Sequence, residues 1–173
     1  KMAPVTVGPI AGHSEINAKG AGASFCAQIS DIEIDPETGG TSPVRHTVIL
    51  DAGRAISPDY VEGQMQGGAV QGIGWALNEE YIYDDNGRLL NTGFLDYRMP
   101  VASDVPMIDT LIVEVPNPKH PYGVRGVGEP PLVPAPAAVA IAVENAIGRR
   151  MGDLPMSPPK VLAAMDAQKL AAE

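Results

Sequence analysis

Cysteine is almost absent from this chain: Cys26 stands alone, so no internal disulfide can brace the fold and no cysteine cluster can hold an iron–sulfur centre. Free cysteine is among the most buried residue types, and Cys26 reads as a small buried residue rather than a nucleophile. Histidine is nearly as scarce. His13, His46 and His120 lie far apart without the spacing of metal ligands, which argues against a protein-ligated metal. Basic residues are outnumbered, 12 against 21 acidic, for a net charge of −9, and no basic run exceeds Arg149-Arg150. Such a surface repels phosphate backbones and anionic lipid, so neither nucleic acid nor membrane is expected as a partner. The longest uninterrupted apolar run, residues 137–143, is too short to span a bilayer, and Lys1-Met2-Ala3-Pro4 does not begin a signal peptide. The expected location is the cytoplasm.

What remains is the composition of a globular protein, with 45% apolar and 19% charged residues. Its 173 residues suit a single domain spanning residues 1–173; a chain of that size buries about 70% of its unfolded surface. Glycine (19) and proline (17) are abundant and follow no repeat, so loops of fixed shape must make up much of the molecule.

Residues 1–24 are rich in Gly, Ala and Ser without a sustained period, an irregular segment that needs another surface to become ordered. In "FCAQISDIEID" (25–35) Ile32 and Ile34 alternate with Glu33 and Asp35, the period of a half-buried strand. "PETGG" supplies a turn and "VRHTVILD" the partner strand, which predicts a hairpin over 25–51. Ser57-Pro58-Asp59 is a helix start, and the helix is expected to run to about Glu80. Asp85-Asn86-Gly87 between 81–83 and 88–90 predicts a second hairpin, and 107–115 a further strand. "AAVAIAVENAI" (137–147) and the stretch after Ser157-Pro158 complete the elements as helices. The pattern lacks a strict strand-helix-strand repeat, so the expected class is α+β, a mixed sheet with hairpins and packed helices.

Three constellations could carry chemistry. The first is "GQMQGGAVQGIGW" (63–75), five glycines inside the first helix. Each interior glycine costs about 1 kcal/mol against alanine, roughly 5 kcal/mol together. Gly63 and Gly67 are one turn apart, as are Gly68 and Gly72, which makes smooth stripes for close helix packing or for a flat ligand. Gln64, Gln66 and Gln71 add amides that both donate and accept. The second is "VRGVGE" (124–129), where Gly126 and Gly128 leave backbone N–H groups unobstructed and Pro130-Pro131 restrict the acid that follows. Between Val127, Leu132 and Val133, Glu129 would be desolvated and suited to general-base work; it could equally cap the helix starting near Pro136. The third is "FLDYRMPVASDVP" (94–106), where Asp96 and Arg98 read as a structural ion pair and Asp104 as a turn starter before Pro106.

Taken in order, "DAGRAISP", "GQMQGGAVQGIGWALNEE", "DYRMP", "YGVRGVGEPP", "AAVAIAVENAIG" and "LPMSPPKVL" resemble the C-terminal part of the molybdenum cofactor-binding large subunit of the xanthine oxidase and aldehyde oxidoreductase family, from about Gly20 to Leu162. The resemblance implies a C-terminal domain of a molybdopterin-binding subunit. It makes Glu129, the acid of Gly126-Val127-Gly128-Glu129, the general base in oxidative hydroxylation of an aldehyde or N-heterocycle. It places Gly63 and Gln64 of the glycine-rich helix against the pterin, and Val124, Arg125, Gly126, Val127 and Gly128 as a loop presenting backbone amides to it. The segment around Gly20 to Ser24 would touch the nucleotide end, with the cytosine dinucleotide form as the default.

The family's molybdenum subunit is several times longer, and its iron–sulfur and flavin modules sit elsewhere. The implied partners are therefore the remainder of the subunit or a second chain, iron–sulfur and FAD-carrying subunits, and a small-molecule substrate. The isolated chain is expected to be catalytically silent. The competing expectation is a non-catalytic scaffold or assembly domain that keeps the fold without cofactor.

Overall fold

A computed structural model describes residues 8, 11–15 and 22–172. Most of the irregular opening segment, including Gly20, thus lies outside the described residues.

Strands β1 (Cys26–Ile34) and β2 (Thr41–Asp51) form the expected antiparallel hairpin, with a register shift between Asp31 and Ile32. The chain then crosses over through helix α1 (Pro58–Leu77) and a long arm before β3 (Ile108–Val113) pairs parallel to β2. A parallel pair requires such a crossover. The sheet is mixed, in the order β1-β2-β3. Helix α2 (Ala135–Ile147) packs on α1 and β1, and α3 (Pro158–Ala172) follows it. The α+β class stands. Among the described residues no helix is long and apolar enough to cross a membrane.

The period of each element explains its burial. In β2 the alternate residues His46, Val48 and Leu50 face inward and are fully buried. Along α1 the buried positions Val61, Met65, Ala69, Ile73 and Ala76 recur every three or four residues and make one stripe. These meet Val139 and Val143 of α2, Met156 and Val161 in one core. The hairpin turn is pinned to α3: Gly39 has φ +73, and a Cβ there would lie 2.3 Å from the Pro158 carbonyl oxygen. Only glycine satisfies both demands.

Three local expectations change. Helix α1 ends at Leu77 rather than near Glu80, because the N–H groups of Asn78 and Glu79 both turn back to the Gly74 carbonyl, each at 2.8 Å. Ser57 occupies the N-cap position with extended backbone, yet its side chain makes no capping hydrogen bond. The second hairpin shrinks to a single bridge, Tyr83 to Leu89, around the Asp84–Gly87 turn. Tyr81, Ile82, Tyr83 and Leu90 are exposed, with Tyr97 stacked on Tyr81, and a two-stranded ribbon with so little cover is marginal.

Candidate functional site

The loop that carries Glu129 is stapled at its upstream end by a buried ion pair. Asp51 closes β2, and its Oδ1 accepts from the N–H groups of Gly53 (2.9 Å) and Val115 (3.1 Å). Its Oδ2 meets Arg125 Nε at 3.1 Å, with the two side chains only 11% and 10% exposed for Arg125 and Asp51 respectively. Arg125 donates further to the carbonyls of Val115 (3.2 Å) and Ala23, and its own N–H reaches the Ala52 carbonyl at 2.9 Å. Each charge is thereby compensated, the condition under which a buried pair is tolerated. Neither the amide nor the guanidinium of Arg125 is turned outward. Its place in the loop is that of an anchor, in contrast to the expected amide donor.

Beyond that anchor the loop is held by fewer contacts. Ser24 Oγ donates to the Gly126 carbonyl at 2.8 Å, so the described part of the glycine-rich segment lies against the loop. The N–H groups of Gly126, Val127, Gly128 and Glu129 have no acceptor among the described residues. A Cβ built on Gly128 would sit 3.6 Å from Gln64 Oε1, which brings α1 and the loop face to face. The Gln64 amide, exposed on the helix, makes no hydrogen bond among the described residues.

Glu129 departs from expectation in one respect. Its side chain is exposed, not desolvated between apolar neighbours; Val133 is itself 75% exposed. The Glu129 carbonyl accepts from the Leu132 N–H at 2.9 Å and closes a turn, on which the acid's side chain is exposed. The capping alternative is also excluded. Helix α2 has Pro134 at its N-cap, no side-chain cap, and starts at Ala135.

The helix glycines separate into two stripes. A Cβ on Gly68 would lie 2.8 Å from Pro131 Cβ, and one on Gly72 would lie 2.3 Å from Ala135 Cβ, so this stripe is close packing against the start of α2. Gly63 and Gly67 have nothing within 4 Å, and their stripe faces outward beside Gln64. Gly74 belongs to neither, being closed by Glu79 and Pro100.

The third constellation does not assemble. Residues 93–97 form a turn closed by hydrogen bonds from Asp96 and Tyr97 to the Gly93 carbonyl, and no ion pair joins Asp96 to Arg98. Arg98 instead lines a groove of about 790 Å³ with Asp35, Asn78 and Asp104, and Glu129 is not among its lining residues. Asp104 shapes its own turn by accepting from the Val101 N–H at 2.9 Å. Cys26 is half-buried, and burial pushes its thiol up, consistent with an unreactive residue.

Two residues around the site escape a reading by motif. Gln28 and Asp51 are polar residues at inward-facing or terminal strand positions; a polar side chain on the inner parity of an alternating strand is the signal that marks them.

Comparison with known proteins decides the family. Residues 9–106 match the molybdopterin cofactor-binding domain. The chain belongs to this family. It is 40% identical over 135 residues to the 6-hydroxypseudooxynicotine dehydrogenase complex subunit gamma of Paenarthrobacter nicotinovorans, covering 76% of this chain and 17% of that protein. It is 34% identical over 159 residues to a putative xanthine dehydrogenase molybdenum-binding subunit of Escherichia coli K12, covering 91% and 21%. Among solved structures, quinoline 2-oxidoreductase from Pseudomonas putida 86 superposes with a TM-score of 0.74 at 38% identity, over 78% of this chain and 18% of that one. Reconstituted CO dehydrogenase from Oligotropha carboxidovorans gives 0.79 at 28%, over 86% and 19%. The chain therefore spans about a fifth of the length of these relatives.

The residues present fit a molybdopterin group on their own chemistry. A heteroatom-rich flat ligand needs a smooth wall and convergent donors and acceptors. The open stripe of Gly63 and Gly67, and the Gln64 amide and the N–H groups of 126–129, none of them bonded among the described residues, supply both.

Proposed function

We propose that this chain forms one wall of the cofactor site of a molybdenum hydroxylase and contributes Glu129 as the general base for oxidative hydroxylation of an aldehyde or N-heterocycle. The observation that carries the reading is the approach of Gln64 on α1 to the Gly128-Glu129 loop, 3.6 Å at the Gly128 Cβ position. When bound, the molybdopterin group supplies a redox-active metal that takes up the electrons of the oxidation. Gln64, Gly63 and the N–H groups of Gly126, Val127 and Gly128 hold its pterin portion; Val124 shapes the loop, and Ser24 with its neighbours lies towards the nucleotide, in the cytosine dinucleotide form. Glu129 takes up a proton at a carboxylate oxygen and does so without backbone adjustment, because its turn is already closed.

Names among the relatives support the N-heterocycle arm, since nicotine 6-hydroxylase and quinoline 2-oxidoreductase both act on such rings. Glu129 is exposed here, so the dry surroundings that favour proton transfer come from the rest of the subunit. Iron–sulfur and FAD modules on other chains complete electron removal.

In the assembled enzyme, Glu129→Gln keeps shape and removes the base. Turnover should fall by at least a hundredfold, the span general-base catalysis typically contributes, while molybdenum per chain stays unchanged. Parallel loss of molybdenum and activity would make Glu129 structural. Gln64→Ala should act in reverse, lowering molybdenum retention first; full occupancy in that variant removes Gln64 from the site.

A further inference from the structure

Glu129 stands between two anchors, and the downstream one has no role in the chemistry described so far. The carbonyl of Pro131, inside the turn that carries Glu129, accepts a hydrogen bond from the Gln28 side-chain nitrogen on β1. On its other side the Gln28 Oε1 lies 2.8 Å from Nε2 of His46 on β2. In the register Gln28 is opposite Val48 and His46 opposite Ser30, so the two side chains are diagonal neighbours on one face of the sheet.

Donor chemistry makes this chain of three groups directional. A carbonyl only accepts, so the Gln28 atom facing Pro131 must be its nitrogen. That leaves Oε1 towards His46, which must then carry its proton on Nε2. His46 is fully buried and its Nδ1 has no partner among the described residues, so the contact with Gln28 is the hydrogen bond that its ring makes there. A glutamine amide can otherwise rotate by half a turn and present oxygen to Pro131. That rotation would set oxygen against the Pro131 carbonyl, and with its proton on Nε2 His46 opposes it as well.

We infer that Gln28 is a positioning residue for Glu129, held in its working orientation by His46. The inference rests on the reading of Glu129 as the base. Arg125 pins the loop at one end and Gln28 pins it at the other, with the short span 126–130 between them. A base displaced by about 1 Å loses on the order of a hundredfold in rate, so a remote amide in the sheet can govern turnover without touching substrate.

The test uses the assembled molybdenum enzyme carrying Gln28→Leu, with Gln28→Glu beside it. Glutamate keeps the shape and the His46 contact but has no N–H for Pro131, which separates the lost bond from lost volume. Amide hydrogen exchange at Leu132, whose N–H closes the Glu129 turn, should accelerate at least tenfold in both variants while Val48 in the sheet is unaffected. Turnover number should fall about tenfold to a hundredfold, with KM and molybdenum per chain within twofold of the parent. In a Glu129→Gln background the same change should leave the residual rate where it was, because a residue acting through Glu129 has nothing further to lose. His46→Leu should shift the same quantities in the same direction by less.

Unchanged exchange at Leu132, an unchanged turnover number, or a full additional loss in the Glu129→Gln background overturns the inference. Molybdenum lost in proportion to activity does so too, since it would make Gln28 a structural support of the cofactor. The exchange readout needs no turnover. Full activity in Glu129→Gln with faster Leu132 exchange in Gln28→Leu would defeat the base assignment and leave the anchor of the turn standing.

Discussion

Glu129 and His46 reverse what their neighbours in sequence suggest, since the acid set among valines and prolines is exposed whereas the histidine in a strand of threonine and arginine is fully buried. Burial is set by which face a position lies on. His46 has the inward parity of β2, and Glu129 sits at the outer end of a turn. A residue-scale prediction follows from His46. Burial holds its imidazole below the ordinary histidine range, so the folded state resists the proton that the unfolded chain accepts. The unfolded state then binds more protons as pH drops below about 6.5, and stability falls with acidification by at most about 1.4 kcal/mol per pH unit. Urea midpoints of the purified chain at pH 7.5 and 5.5 should differ, and the difference should shrink in His46→Gln. An equal difference in both proteins would assign the acid sensitivity to other groups.

At the scale of the element, α1 bears two kinds of glycine that look identical in the sequence. Gly72 is required by packing: the methyl of Gly72→Ala would fall 2.3 Å from Ala135 Cβ, an overpacking expected to destabilise by about 1–3 kcal/mol. Gly67 meets nothing, and Gly67→Ala should stabilise the purified chain by about 0.4–1 kcal/mol through helix propensity and a less flexible unfolded state. In the assembled enzyme Gly67→Ala should cost molybdenum occupancy, because its methyl would project from the stripe beside Gln64. Thermal midpoints of both variants together with metal content decide the matter; a destabilised Gly67→Ala chain would remove the distinction. The spacing of one turn shows that stripes exist. Which stripe meets α2 depends on how the helices face each other, and it is Gly68 and Gly72 that lie against Pro131, Leu132, Ala135 and Pro136.

For the molecule as a whole, the site is a junction of segments distant in sequence: the chain before β1, the ends of β2 and β3, α1, and the turn before α2. Asp51 and Arg125 tie four of these together. Removing one partner strands a buried charge, so Asp51→Asn or Arg125→Met should each destabilise the purified chain by about 3–5 kcal/mol in urea unfolding. The double variant should recover part of that loss, since no lone charge is left. A single-variant loss below about 1 kcal/mol would show the pair to be solvated. The same large-scale view accounts for the exposed apolar side chains, Leu95 at 99% and Phe94 at 88% among them. Adjacent and exposed, these two side chains are of the kind that marks a contact surface.

By itself the sequence determined, though not the fate of the second hairpin, the first hairpin, the helices, the strand that became β3, the α+β class and the six motifs by which the chain resembles its family, because those depend on local periodicity, turn chemistry and residue identity. It also singled out Glu129, Gln64 and the Gly126–Gly128 pair. Only the tertiary structure decided that β3 runs parallel to β2, that Arg125 turns inward to Asp51, that Asp96 and Arg98 do not pair, and that Gln28 reaches Pro131. Apart from the missing Asp96–Arg98 pair, each of these is a contact across scores of residues, and its energy comes from packing and burial, which no window along the chain contains.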